Sequence, residues 1–186
     1  MILLLRFIGV VNAAIWLGGA VFFTFGVAPA FLTGEIRTIE LQGGLHHFWP
    51  GVMGQLALQR YFYLSFICGS IAVAHQLAEW VYLGRALQRF TLGLLVCLLL
   101  VGGAGGLWLQ PKLKHLHLVK YGMSAQYKPA PLPNAQRLQA AASFRAWHGF
   151  AQVINLIGLV GLVIYFWRVT HPSDQLRVLS TPKFRN

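Results

Sequence analysis

Acidic side chains are scarce in this sequence: it has only 4 Asp and Glu among 186 residues, against 15 Lys and Arg. The paired carboxylates that many enzymes use for general acid and base catalysis are therefore absent. No glycine-rich phosphate loop and no nucleophile next to a base stand in their place. The sequence gives no sign of a conventional hydrolase or kinase.

Cysteine is also rare, and charged residues make up only 10% of the chain. Cys68 and Cys97 both fall in apolar stretches, where a thiol behaves as a small apolar side chain, so a disulfide framework is not expected. Hydrophobic residues reach 56% and the mean hydropathy is +0.60. This composition is too apolar for an ordinary soluble domain and predicts an integral membrane protein.

Four windows contain no charged residue, and each approaches or exceeds the roughly 20 apolar residues that a membrane-spanning helix needs. Backbone polar groups in lipid must pair internally, and the windows lack the alternating pattern of barrel strands, so helices are predicted. The first helix is expected to be retained rather than cleaved as a signal peptide. The windows are residues 7–29, 61–78, 90–111 and 146–167.

The predicted fold is all-α: a four-helix bundle in one membrane domain, residues 1–170, followed by a polar tail, residues 171–186. An interfacial segment is expected after the first helix and a long basic loop between the third and fourth. Pro111 is expected to end the third span, and residues 134–143 form a possible helical start to the fourth. The predicted helices cover residues of about 5–31, 59–83, 89–110 and 143–168.

The formal net charge of +11 would suggest nucleic-acid binding in a soluble protein. Here the basic residues fall at helix ends and in loops, so anionic lipid headgroups are the predicted partner and nucleic acid is not. The side that carries both termini has seven Lys and Arg, and the opposite side has eight. We expect a multi-pass protein of the cell membrane, the inner membrane of a bacterium, with both termini in the cytoplasm.

Polar side chains inside a span are costly and often functional. A rise of about 1.5 Å per residue places Asn12 and Trp16 at the depth of His75. Gln76 belongs to the same level, and Glu79 follows His75 by one turn on the same helix face. This arrangement suggests either a proton-relay or ligand site, or a hydrogen-bond cluster that fixes helix packing.

A second polar group lies toward the opposite side, where Gln152 and Asn155 follow His148 on one face of the fourth helix. Neutral imidazole is a common ligand of Zn and Cu, so haem or copper is one hypothesis for the histidines, and loop or interface histidines without a ligand are the other. The candidates for cofactor binding are His148, His46, His47 and His75. The candidates for metal binding are His115, His117 and His148.

Three motifs suggest a family relationship: the run from Trp16 to Phe23 with Ala28 and Pro29, the run 107–113, and the run 144–149 followed by Asn155. Together they resemble the domain of unknown function 4149 family, to which transmembrane protein 205 of animals is similar. The matching positions are Trp16, Gly18, Gly19, Phe22, Pro29, Pro111, Phe144, His148, Gly149 and Asn155.

The resemblance implies a compact four-helix membrane domain with no established activity. That family is distantly similar to copper-resistance membrane domains and to the haem-binding protoporphyrinogen oxidases of bacteria. Those oxidases carry a histidine in the first helix, and the first helix here has none, which argues against the transfer of that enzyme activity.

Three functional hypotheses follow. The first is a non-enzymatic accessory or structural subunit of a larger membrane complex, with other membrane proteins as partner subunits. The second is a haem- or copper-handling protein that uses the loop-side histidines. The third is transport of a small solute through the bundle.

Overall fold

The computed structural model describes residues 2–30, 48–83 and 88–171. These ranges form four helices, each long and apolar enough to cross a membrane. No β-strand occurs within them, apart from an isolated bridge between Met123 and Pro129. The predicted all-α, four-helix membrane fold is confirmed.

Two of the helices are continuous α-helices. They are α2, Phe48–Leu83, and α4, Asn134–Thr170. The other two each contain one wider π-helical segment within an otherwise α-helical path. These are α1, with the parts Ile2–Val21, Phe22–Val27 (π) and Ala28–Ala30, and α3, with the parts Arg89–Ala104, Gly105–Leu109 (π) and Gln110–Tyr121.

Three of the helices, α2, α3 and α4, are longer than the sequence predicts and continue beyond their apolar windows. Helix α2 begins at Phe48, so the later part of the predicted interfacial segment is helical, while residues 31–47 lie outside the described residues. Helix α4 begins at Asn134, as the sequence allowed for residues 134–143. Helix α3 continues to Tyr121, which leaves only residues 122–133 between α3 and α4 as non-helical chain.

The prediction that Pro111 ends the third span is wrong. Pro111 lies in the first turn of the α-helical part Gln110–Tyr121, directly after the π-helical segment. Proline lacks a backbone N–H, and this costs least where the α-helical bonding pattern is already interrupted. Lys112, Lys114 and Lys120 therefore lie on a helix instead of in a loop, whereas Lys128 lies in the non-helical chain between α3 and α4.

Aromatic and basic side chains occur at two levels of the bundle that are separated by about the thickness of a hydrocarbon core. On one side, Lys112 Nζ lies 3.7 Å from the ring centroid of Trp147. On the other side, Arg168 donates from a guanidinium N–H to Thr91 Oγ1 at 3.2 Å. The 21 residues between Trp147 and Arg168 rise by about 32 Å, close to the roughly 30 Å of a hydrocarbon core. With a hydrocarbon core between these two levels, α4 would extend beyond it by about three and a half turns on the Lys112 side, from Trp147 back to Asn134.

Large apolar side chains cover the outside of the bundle, where lipid would surround them. In water such a surface would promote aggregation, but in a bilayer these apolar side chains contact lipid chains that are equally apolar. Clear examples from the four helices are Phe7, Phe22, Phe66, Leu100, Leu107 and Ile157.

Small residues allow the helices to approach closely near the terminal end of the bundle. The core there is built from buried Ala13, Ala20 and Ala72 around Trp16 and Tyr165. The Trp16 and Tyr165 rings meet edge to face with centroids 6.1 Å apart. In lipid, where burial of apolar surface gives little net gain, this close packing supplies much of the helix association.

The tightest contact between α1 and α2 joins His75 to Gly9. His75 Nε2 donates a hydrogen bond to the Leu5 carbonyl oxygen at 2.8 Å. The imidazole lies so close to α1 that a Cβ on Gly9 would stand 2.5 Å from His75 Cε1. A residue larger than glycine at position 9 must therefore displace the ring and lose its hydrogen bond.

The hairpin between α3 and α4 turns at Gly122, which has a φ of +64°. Met123 N–H donates to the Leu118 carbonyl at 2.9 Å, and Ala130 N–H donates to the Gly122 carbonyl at 2.7 Å. A left-handed glycine with these bonds closes the end of a helix and satisfies its last carbonyls. Arg137 Nε donates to the Lys120 carbonyl at 3.3 Å and joins the two helices beyond the turn.

We predict that Gly9→Ala lowers the thermal stability of the purified protein, because overpacking against a fixed ring costs about 1–3 kcal/mol. Gly18→Ala on the same helix is the matched control, since a Cβ there meets nothing within 4 Å. Tryptophan fluorescence during heating in detergent measures the thermal stability of both variants. The loss of stability in the double variant Gly9→Ala/His75→Ala should be smaller than the sum of the losses in the two single variants. Equal effects of Gly9→Ala and Gly18→Ala would refute the proposed contact.

Candidate functional site

The polar group predicted near the termini joins three helices. His75 bonds to α1 as described above. Asn12 donates from Nδ2 to the Cys68 carbonyl oxygen on α2 at 2.9 Å, and its side chain also interacts with that of Tyr165 on α4. These contacts support the interpretation of the group as an interhelical hydrogen-bond cluster. A proton relay between His75 and Glu79 stays a prediction.

The observed depths of these residues differ from the depths assigned from the sequence. Gly9 lies against His75, whereas Trp16 lies against Gly69. Asn12 and Trp16 are therefore about one and two turns deeper than His75. The difference arises because α2 continues past its apolar window, so the ends of that window do not fix its register against α1.

A cavity of about 790 Å³ opens between all four helices, on the side away from the termini. Its inner end is apolar and includes Trp16, Leu98 and Leu162. Its volume lies within the range of roughly 300–1,000 Å³ that is typical of small-molecule sites. Nearer the outer end it is lined by hydrogen-bonding side chains, which are Thr24, Gln55, Tyr61, Gln110, His117, Lys120, Tyr121, His148, Gln152 and Asn155.

Both π-helical segments border this cavity. Phe23 and Thr24 of the segment in α1, and Gly105 and Leu109 of the segment in α3, are among its lining residues. Asn155 of α4 reaches the α1 segment, where its Nδ2 donates to Thr24 Oγ1 at 2.9 Å. Single π-helical turns often occur at functional sites, and here they shape the walls of this cavity.

His117 is buried where α3 crosses the start of α2, with only 3% of its surface exposed. Its Nε2 donates to the Phe48 carbonyl oxygen at 3.0 Å, so Nε2 carries a hydrogen. The imidazole stacks on the Phe48 ring, and a Cβ on Gly51 would stand 2.2 Å from its Cε1. Its Nδ1 has no hydrogen-bond partner among the described residues.

His148 faces the same cavity from α4. Its ring stacks on Phe144 at an angle of 8°, and its Nε2 lies 3.4 Å from Gln152 Nε2. The Phe144 ring is also 5.7 Å from the His117 ring, so both imidazoles contact one phenyl group. The structure therefore brings His148, Gln152 and Asn155 to one cavity, as their shared helix face indicates.

The remaining histidine candidates are not assembled into a metal centre in the described residues. His115 is exposed while His117 is buried, because residues two apart on a helix point to different sides. Within residues 2–30, 48–83 and 88–171, no group of three His, Cys, Asp or Glu side chains is placed to hold a metal ion. His46 and His47 lie outside these ranges, so haem or copper binding stays a prediction.

Lys120 supplies a positive charge at the outer end of the cavity. Its Nζ lies 4.8 Å from the ring centroid of Tyr121 and 5.7 Å from that of Phe144. Both rings line the cavity. The ammonium group is thus held beside aromatic faces that attract a cation without neutralising its charge.

Comparisons with known proteins identify no relative of this chain. No protein-family model matches the chain, and no curated protein and no solved structure matches it either. The resemblance to the domain of unknown function 4149 family therefore stays a prediction from the motifs.

Sequence reasoning did not single out Lys120, Tyr121, Thr24 and Gln110 as site residues, although all four line the cavity. Lys120 and Tyr121 follow Pro111 and read as part of a basic loop. Thr24 and Gln110 are single polar residues near span ends, where such residues are common. The i, i+4 pair His148 and Gln152 was the one signal in the sequence for a polar site at this level of the bundle. It could not lead to these four residues without knowledge of which helix faces lie against each other.

We predict that Asn155 and Thr24 are energetically coupled across the cavity wall. Asn155→Ala and Thr24→Val should each lower stability, and the double variant should show a coupling of about 0.6–1.7 kcal/mol, as for other hydrogen bonds between membrane helices. Reversible unfolding in mixed micelles measures the four free energies. Strict additivity would mean that the bond contributes nothing to the helix arrangement.

Proposed function

We propose that this membrane protein binds an amphiphilic molecule in the cavity between its four helices. The observation that supports the proposal is the change of lining along the cavity, from apolar side chains around Trp16 and Leu162 to hydrogen-bonding side chains around His148. A molecule whose chain points to the bilayer centre and whose polar group stays at the interface matches this change.

The volume of the cavity favours one chain over two. The volume of about 790 Å³ lies within the range of roughly 300–1,000 Å³ that is typical of a site for one small molecule. One long chain with a small polar group fits this volume. The second chain of a bilayer lipid would remain outside, among the surrounding lipids.

The other hypotheses rest on the sequence. A role as an accessory or structural subunit would be supported by stoichiometric membrane proteins that copurify in mild detergent and are identified by mass spectrometry. Haem or copper handling would be supported by an absorption spectrum or by elemental analysis of the purified protein. Small-solute transport would be supported by flux in proteoliposomes that depends on His148 or Glu79.

We predict that Gly158→Phe blocks the cavity and abolishes amphiphile binding. Gly158 lines the cavity, and a Cβ there meets nothing within 4 Å, so the phenyl ring has room to enter it. The measurement is photolabelling of the reconstituted protein with hexadecanol that carries a diazirine, with excess hexadecanol as competitor and peptide mapping by mass spectrometry. The saturable part of the label should fall on cavity residues and be largely lost in the variant.

Gly149→Phe is the control for this experiment. Gly149 lies on the same helix, also meets nothing within 4 Å, and does not line the cavity. It should retain the saturable labelling of the unmodified protein. Labelling that is unsaturable, or that is confined to lipid-facing residues such as Phe66 and Ile157, would refute the proposed function.

A further inference from the structure

We infer that the amphiphile is a long-chain carboxylate whose acid group binds at Lys120. This inference rests on the proposed function, because it names the chemical class of the molecule in the cavity. It is carried by the charge at the outer end of the cavity, by the hydrogen-bonding groups beside that charge, and by the length of the apolar part.

Among the described residues that line the cavity, Lys120 is the only Lys or Arg. Glu79 is the one carboxylate within the described ranges, and it follows His75 by one turn, at the opposite end of the bundle. The described residues therefore place no carboxylate of the protein beside Lys120. A single ammonium group complements a single negative charge, which favours a monovalent acid.

The Lys120 side chain lies against the wall of the cavity. The centroid distances of 4.8 Å to Tyr121 and 5.7 Å to Phe144 place Nζ beside two rings that line it. The Lys120 backbone carbonyl accepts the bond from Arg137, which fixes the backbone at the end of α3 against α4. Because this part of the backbone is already fixed, binding has to order only the Lys120 side chain.

Neutral partners for a second acid oxygen lie at the same end of the cavity. His148 and Gln152 line it from α4, and their side chains are already within 3.4 Å of each other. A carboxylate has two oxygens that each accept hydrogen bonds. The outer part of the cavity therefore offers hydrogen-bond donors to a carboxylate in addition to the Lys120 ammonium.

The apolar part of the cavity has the length of a fatty-acid chain. Along α3 it extends from Leu109 to Leu98, which is 11 residues or about 17 Å of helix, and Gln110, His117 and Lys120 line the polar part beyond it. Open glycine positions line this path: a Cβ on Gly102 or Gly158 would meet nothing within 4 Å. An extended chain can therefore pass between the helices toward Trp16.

The experiment compares two probes that differ only in the headgroup, oleate and oleyl alcohol. Native mass spectrometry of the full chain in a neutral detergent measures the occupancy of each probe over a concentration series. The unmodified protein should bind oleate on the order of ten-fold more tightly than oleyl alcohol, the usual size of a hydrogen bond to a charged group. Lys120→Met should remove this preference and retain oleyl alcohol binding, which also shows that the variant is folded.

Lys114→Met is the matched control. Lys114 lies on the same helix, its Nζ is 5.9 Å from the Tyr127 ring, and it does not line the cavity. Its replacement changes the net charge by the same amount, so a general attraction of anions to a basic surface would fall equally in both variants. The inference expects the oleate preference to persist in Lys114→Met and in Lys120→Arg.

Four outcomes would overturn the inference. Equal, saturable binding of both probes would leave the proposed function intact and refute the acid group. A preference for 1-oleoyl lysophosphatidylglycerol over oleate that depends on Lys120 would replace the carboxylate with a phosphate headgroup. An oleate preference that arises only in Glu35→Gln/Glu40→Gln would identify the chain's own carboxylates as the partners of Lys120. Saturable binding of no probe would refute both the inference and the proposed function.

Discussion

Helix association in a bilayer gains little from the burial of apolar side chains, because the surrounding lipid is equally apolar. The four helices therefore depend on contacts that lipid cannot offer: close backbone approach and hydrogen bonds between polar groups. His75 against Gly9 provides both at once between α1 and α2. His117 against Gly51 repeats the arrangement between α3 and α2 at the other end. In each case the imidazole Nε2 donates to a backbone carbonyl of the neighbouring helix, so α2 is held at both ends.

The cavity includes the His117–Gly51 contact in its wall and does not reach the His75–Gly9 contact. Close packing is not maintained along it. The presence of glycine alone does not decide which parts of the bundle are closely packed by side chains. Gly69 and Gly161 are covered by leucine side chains from α3, whereas Gly102 and Gly158 face open space. The open positions lie on the side where the lining becomes polar. A bundle packed as tightly throughout as it is around Gly9 would have no room for a ligand.

The span count follows from the sequence because charge-free apolar windows of sufficient length are rare outside membrane-spanning helices. The shared face of His148, Gln152 and Asn155 was also predictable, since their spacing is a property of one helix. The course of α3 beyond Pro111 was not, because apolar periodicity does not reveal a π-helical turn that accommodates the proline. The position of Lys120 in the cavity wall was hidden for the same reason. Among the four glycines between 102 and 106, only tertiary structure shows that Gly105 and Gly106 contact Phe62 while Gly102 and Gly103 do not.

Each π-helical segment carries one residue more than an α-helix would need to cover the same height. If Gly105–Leu109 instead took regular α-helical geometry with no residue removed, the extra residue would turn the following part of α3 by about 100° relative to the preceding part. Composition and hydropathy would be unchanged, yet His117 and Lys120 would face a different direction. The backbone geometry of these few residues therefore governs which side chains enter the cavity, because the wider turn takes up the extra residue before α3 reaches His117.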